Sequence, residues 1–348
     1  MTGFIEVRAY HPQCWSARMA ASFKMPADRR RGYSSVLLGI LLFSAFPIAA
    51  RADACRVPPP ISTIDPPGFY DDPGGYSEAI KPLHAFIERV NKAADGGDKA
   101  CLVELLDTWA RANALMAPIK GYQGYYERSW AGTDFALVLL RFFPQSRMDA
   151  PAVPPSISKW LIDMAVSTRD AEAINRLHNN LVYWAGLDLA ATGTLTKRSD
   201  LIDAGVARAR EGIKDIQPNG TLEREMKRGD RALHYHNFAL IPLVFTAELA
   251  QARGVDLYSE NKGALPRLVN LVIDAVIDQN SFSAYTPTPQ RLFPWTFAGD
   301  LAWMEPYQAR FHDPRLAALI ALRRPFINPR LGGNVTAAWS RYPTMEHQ

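Results

Sequence analysis

From residue 78 onward, apolar positions recur at three- and four-residue spacing in block after block. That is the periodicity of helices burying one face. It predicts helices over 78–94, 99–115, 132–142, 155–167, 170–195, 199–214, 221–228, 231–253, 264–278, 297–310 and 314–323. Pro218-Asn219-Gly220 marks a turn, Gly254 a helix C-cap, and Pro242 a kink in the 231–253 helix. Strand-like alternation is confined to 329–340, which reads as a short terminal hairpin or an extended tail. Residues 56–76 carry Pro58-Pro59-Pro60, Pro66-Pro67-Gly68 and Pro73-Gly74-Gly75, and so predict a long ordered loop or lid. No domain break or fixed-period repeat interrupts residues 53–348. Helices at hairpin spacing over about 270 residues predict an all-α fold of stacked antiparallel pairs, an incomplete (α/α) toroid.

The N-terminus has a different pattern. Arg29-Arg30-Arg31 precedes the apolar run Val36–Ala50, and Ala50-Arg51-Ala52 fits a small-x-small cleavage site. Residues 1–52 therefore read as a signal peptide directing the chain to the periplasm. The run is short for a membrane span, so an integral membrane protein is not expected, although an uncleaved anchor is the competing reading. A start at Met25 would give a leader of ordinary length, leaving 1–24 untranslated. Asp53-Ala54 before Cys55 is a poor lipidation signal. Loss of Cys14 with the leader leaves Cys55 and Cys101, which an oxidising compartment would join as a disulfide.

Charge follows the same division. The chain is formally +4, but residues 1–52 carry +5, so the body is −1. Without a basic face, nucleic-acid binding loses its electrostatic basis. No spacing of ligand residues suggests a metal, and no cofactor is implied.

The densest chemistry lies in Lys227–Asn237, where Arg228, Arg231, His234, Tyr235 and His236 lead into the apolar run Phe238–Phe245. Arg228 and Tyr235 are seven apart and share a face if the helix is continuous. A guanidinium there is expected to lower the tyrosine pKa and make it a proton shuttle. Tyr122, Tyr125, Tyr126, Trp130, Tyr183, Trp184, Trp295, Trp303 and Tyr307 fall where loops would line the groove of a toroid. Aromatic faces suit sugar rings, and core packing is the alternative for each.

Three ordered segments resemble the periplasmic alginate lyases of polysaccharide lyase family 5. They are Asn179-Asn180-Leu181-Val182-Tyr183-Trp184, Glu225–Arg228 leading into Arg231–Asn237, and Asp300–Tyr307 with Arg330 beyond. Tyr125-Tyr126-Glu127-Arg128-Ser129 is similar as well, and the likeness spans roughly 60–338. The resemblance implies an anionic polysaccharide substrate cleaved by β-elimination, leaving a 4,5-unsaturated sugar. It implies Tyr235 as acid and base, Arg228 as carboxylate neutraliser, Asn180 as carboxylate holder and His234 as a supporting group. It also implies Tyr126, Trp184 and Arg330 as substrate contacts, and His178, Arg231, Trp303 and Tyr307 are further candidate contacts.

Two positions depart from the pattern. The family reads Asn-Asn-His where this chain has Asn179-Asn180-Leu181, and leucine neither donates a hydrogen bond nor titrates. Three readings follow: Tyr235, Arg228 and Asn180 suffice; or His178, one turn back on the same helix, or His234 takes the role; or the chain is a non-catalytic polyuronate-binding component of an exopolysaccharide secretion complex. The lid has Asp65, Asp71 and Asp72 over 64–76 and no basic residue, which hints at a less densely charged polymer. A glycoside hydrolase would need two carboxylates at the cleft, for which Glu127, Glu225 and Asp300 are the candidates.

Overall fold

The structure, a computed structural model, describes residues 55–144, 152–291 and 299–339. The signal peptide expected over 1–52 lies outside the described residues, as does Trp295. Thirteen helices and one two-stranded ribbon are described. They are α1 (Pro73–Asp95), α2 (Lys99–Arg111), α3 (Gln123–Phe142), α4 (Pro155–Asp170), α5 (Glu172–Asn175), α6 (Asn180–Thr196), α7 (Ser199–Asp215), α8 (Glu223–Met226), α9 (Ala232–Gln251), α10 (Glu260–Ile277), α11 (Met304–Phe311), α12 (Pro314–Arg323) and α13 (Val335–Trp339). Strands β1 (Ile327–Asn328) and β2 (Gly333–Asn334) pair antiparallel, with Ile327 opposite Asn334.

Burial sorts the long helices into two layers. α3, α6 and α9 are buried almost all round from their first turn. α1, α2, α4, α7 and α10 bury one stripe and wet the other. The first set is an inner layer, with α6 packed against both α3 and α9; α4, α7 and α10 cover it. This is the α/α toroid that hairpin-spaced helices predict. Aromatic packing holds its N-terminal part: Phe86 of α1 stacks on Trp109 of α2 at 3.6 Å, and Phe135 of α3 stacks on Trp160 of α4 at 5.5 Å. Cys55 and Cys101 are bonded, tying the start of the described chain to α2.

The expected helix 170–195 is instead three pieces. α4 stops at Asp170, α5 is one turn, and His178 takes φ 48°, outside the helical region. Asn179 then caps α6, its side chain accepting from the Leu181 N–H at 3.0 Å. α3 begins nine residues before the expected 132 because Gln123–Trp130 is largely buried helix rather than loop. The lid is shorter than expected, since Asp72 caps α1 and residues 73–76 belong to that helix. α9 runs through Pro242 as one helix.

Candidate active site

Trp130 of α3 meets Trp184 of α6 edge-on at 6.5 Å and Phe238 of α9 at 6.1 Å, so the N-terminal halves of the three inner helices pack together.

α9 delivers Tyr235 and His234 in its first turn. Gly229 at φ 62° breaks the chain between α8 and α9, so Arg228 and Tyr235 do not share a continuous helix. They meet all the same: the Arg228 guanidinium lies 4.5 Å from the Tyr235 ring centre, and Arg231 lies 6.0 Å from it. α6 delivers Asn180 at its first position, with its side chain 2.9 Å from Glu225. Glu225 in turn faces Arg228 at 3.5 Å.

Arg330 comes from the tip between β1 and β2. Its backbone N–H donates to Asn328 Oδ1, while Gly332 N–H donates to the buried Asp134 of α3 at 2.8 Å. The ribbon is thereby clamped, and the guanidinium lies 4.4 Å over the Trp130 ring. Its charge acts on His234, Tyr76, Glu127 and Asp300.

The lid supplies a residue that the sequence reading missed. Tyr235 Oη donates to Tyr70 Oη at 2.7 Å, and Arg231 lies 4.4 Å over the Tyr70 ring. The Phe69-Tyr70 pair in a proline- and glycine-rich loop was the available signal: exposed aromatics in a loop have no core to explain them. The lid acids also hold local structure. Asp65 accepts from the Lys120 and Gly121 N–H groups, Asp71 from Tyr122 Oη, and Asp72 from Gly75 N–H.

Electrostatics correct a second expectation. Burial raises the Tyr235 pKa above its ordinary value, helped by the bond to Tyr70, and these outweigh Arg228 and Arg231. The phenol is neutral at neutral pH. His234 is pushed down to about 4 by burial first and then by Arg330 and Arg231, so it too is neutral.

Several residues expected against substrate are elsewhere. Trp184 is 1% exposed and its indole N–H donates to the Phe238 carbonyl. Trp303 is fully buried and donates to Asn237 Oδ1. Tyr307 is packed among Trp303, Tyr258 and Phe311. These three are core: each is buried and packed by its neighbours rather than open to a groove. His178, exposed and off the helix, pairs with Glu211 of α7 at 2.6 Å. Tyr126 lies between Tyr122 and Trp130, close enough to Arg176 to feel its charge. The hydrolase candidates are each engaged: Glu127 by Tyr76 and Gln123, Glu225 by Asn180, Asp300 by Asn328.

A tyrosine between two arginines, with a carboxamide and a neutral histidine alongside, suits proton transfer next to an anion. The family model described as "Alginate lyase" matches residues 62–282. A polysaccharide lyase of Stenotrophomonas maltophilia (strain K279a) is 35% identical over 322 residues, covering 86% of this chain and 94% of the relative. An alginate lyase of Pseudomonas aeruginosa (strain LESB58) is 36% identical over 261 residues, covering 73% and 71%. The crystal structure of alginate lyase A1-III from Sphingomonas species A1 matches with a TM-score of 0.67 at 25% identity, covering 83% of this chain and 88% of that one. By model, identity and fold together, this chain belongs to the alginate lyase family of polysaccharide lyases.

Proposed function

We propose that this protein is exported to the periplasm and cleaves a uronate-containing polysaccharide of the alginate or polymannuronate kind by β-elimination. The carrying observation is Tyr235 flanked by Arg228 and Arg231, with Asn180 tied to Arg228 through Glu225. The uronate C5 proton is weakly acidic while the C6 carboxylate is charged. Arg228 and Asn180 neutralise that carboxylate and stabilise the enolate-like intermediate. Tyr235, as phenolate, takes the C5 proton; the C5–H electrons form the C4=C5 double bond, the C4–O4 bond breaks, and Tyr235 returns the proton to O4. This syn geometry needs one group for both proton transfers.

Position 181 has no imidazole, and His234 is the residue that takes its place. It is neutral, adjoins Tyr235 at 5.1 Å between ring centres, and is close to Arg330. His178 is engaged with Glu211 and is set aside. Arg231, Arg330 and Tyr126 extend the cationic and aromatic lining along which a polyuronate would lie.

The test is to incubate the mature protein with polymannuronate, polyguluronate, polygalacturonate and polyglucuronate and follow ultraviolet absorbance of the conjugated uronate. A rise on at least one polymer is expected. No rise on any of them contradicts the proposal and favours the non-catalytic binding component, whose specific support is Leu181.

A further inference from the structure

Glu225 is a buried carboxylate beside a site for carboxylates. Its side chain is 1% exposed, yet it adds negative charge where a polyanion must bind. Its contacts resolve the apparent conflict. Oε1 accepts twice from Asn180, from the backbone N–H at 3.1 Å and from Nδ2 at 2.9 Å. Oε2 faces Arg228 Nε at 3.5 Å, an ion pair without a hydrogen bond. One rigid group thus touches both residues that hold the substrate carboxylate, one from α6 and one from the turn after α8.

We propose that Glu225 is a positioning residue for the elimination reaction: it fixes which way the Asn180 carboxamide faces and holds the Arg228 guanidinium against Tyr235. This rests on the proposed lyase function.

The argument is geometric. A carboxamide can turn over, exchanging its oxygen and nitrogen, at little cost in open surroundings. Against Glu225 the turned-over form would set Asn180 Oδ1 against a carboxylate oxygen, so only one orientation survives. That orientation commits one amide hydrogen and leaves the other hydrogen and Oδ1, which has no partner among the described residues. Arg228 is part-exposed, at 32%, and its long side chain has many rotamers. The ion pair with Glu225 narrows them to the one that stacks on the Tyr235 ring at 4.5 Å. The backbone supports the same arrangement: the Arg228 N–H donates to the Glu225 carbonyl at 3.0 Å. Burial raises the Glu225 pKa, while the Asn180 hydrogen bonds and Arg228 oppose the rise and favour the ionised form needed here.

The test compares wild type, Glu225→Gln and Glu225→Asp on polymannuronate, reading kcat and KM separately, with urea unfolding as the folding control. Gln keeps the shape and removes the charge; Asp keeps the charge and shortens the reach. Both are expected to lower kcat by roughly ten- to a hundredfold, the scale of a hydrogen bond to a charged group, with KM changed by less than about threefold. Adding Glu225→Gln to Asn180→Ala should cost clearly less than Glu225→Gln costs alone, because only its hold on Arg228 is left to lose. Wild-type kcat in Glu225→Gln, full rescue by Asp, or losses that multiply in the double variant would overturn the inference. If Glu225→Gln does not fold, Glu225→Asp decides. An inactive wild type overturns the lyase reading and this inference with it, whereas an active wild type with an indifferent Glu225 overturns the inference alone.

Discussion

Tyr235 is held neutral by burial and by Tyr70, with Arg228 and Arg231 acting against them. If its phenolate is the base, the reactive fraction is a minority at neutral pH and grows as pH rises. The expected outcome is a kcat/KM that climbs by close to tenfold per unit between about pH 7 and 9; a flat or falling profile would count against Tyr235 as base. Neighbouring residues divide the remaining labour. If His234 stands in for the missing imidazole, His234→Ala should lower kcat by about a hundredfold, while Leu181→His should change it by less than about threefold. Steady-state rates on the best polymer check both, and the reverse pattern would return the role to position 181. Tyr235, Arg228, Asn180 and Arg330 stood out from their motifs as candidates, because short motifs carry side-chain chemistry directly. Trp184, Trp303 and Tyr307 were misassigned, because an aromatic next to a motif looks the same in sequence whether it faces a groove or a core.

At the scale of elements, helix periodicity located most of the helices, since amphipathic stripes are visible in a linear pattern. It failed where helices are buried all round, as at the start of α3, and where a cap interrupts a run, as at Asn179. The lid contact of Tyr70 with Tyr235 joins residues 165 apart, a proximity that no local pattern encodes. Tyr70→Phe removes an acceptor that stabilises the protonated Tyr235, so the rising limb of kcat/KM should move to lower pH; an unmoved limb would show that this bond does not tune the site. The start of α9 makes a second prediction. His236 is buried, its Nδ1 bonded to the Ala232 carbonyl and its Nε2 accepting from the Leu222 N–H at 2.8 Å. That fixes the neutral tautomer, and burial pushes the pKa down to about 4. With the folded pKa below the unfolded value of 6.5, this contribution is full above about pH 6.5 and is lost as pH falls through about 4. The difference is on the order of 3 kcal/mol. Asp188 and Asp300, raised by burial to about 7 and about 6, act in the opposite sense as they protonate. Comparison with His236→Gln isolates the histidine: urea midpoints from pH 7 to 4 should fall less steeply in the variant than in the wild type.

Across the whole molecule, inner helices set the site and outer helices, disulfide and terminal ribbon hold it. The Cys55–Cys101 bond closes a loop over a sequence separation of 46 residues. Reduction should cost up to about 4 kcal/mol, read as a lower urea midpoint, while the active-site helices keep their contacts once folded. No helix among the described residues is long and apolar enough to cross a membrane. The central claim is that this arrangement breaks a polyuronate by elimination through Tyr235. Mass analysis of a polymannuronate digest tests it most directly. The expected product is an oligosaccharide with a terminal C4=C5 double bond, one water lighter than the hydrolysis product, formed by the wild type and absent with a folded Tyr235→Phe. A hydrated product, or an unsaturated one formed at the wild-type rate by Tyr235→Phe, would contradict it.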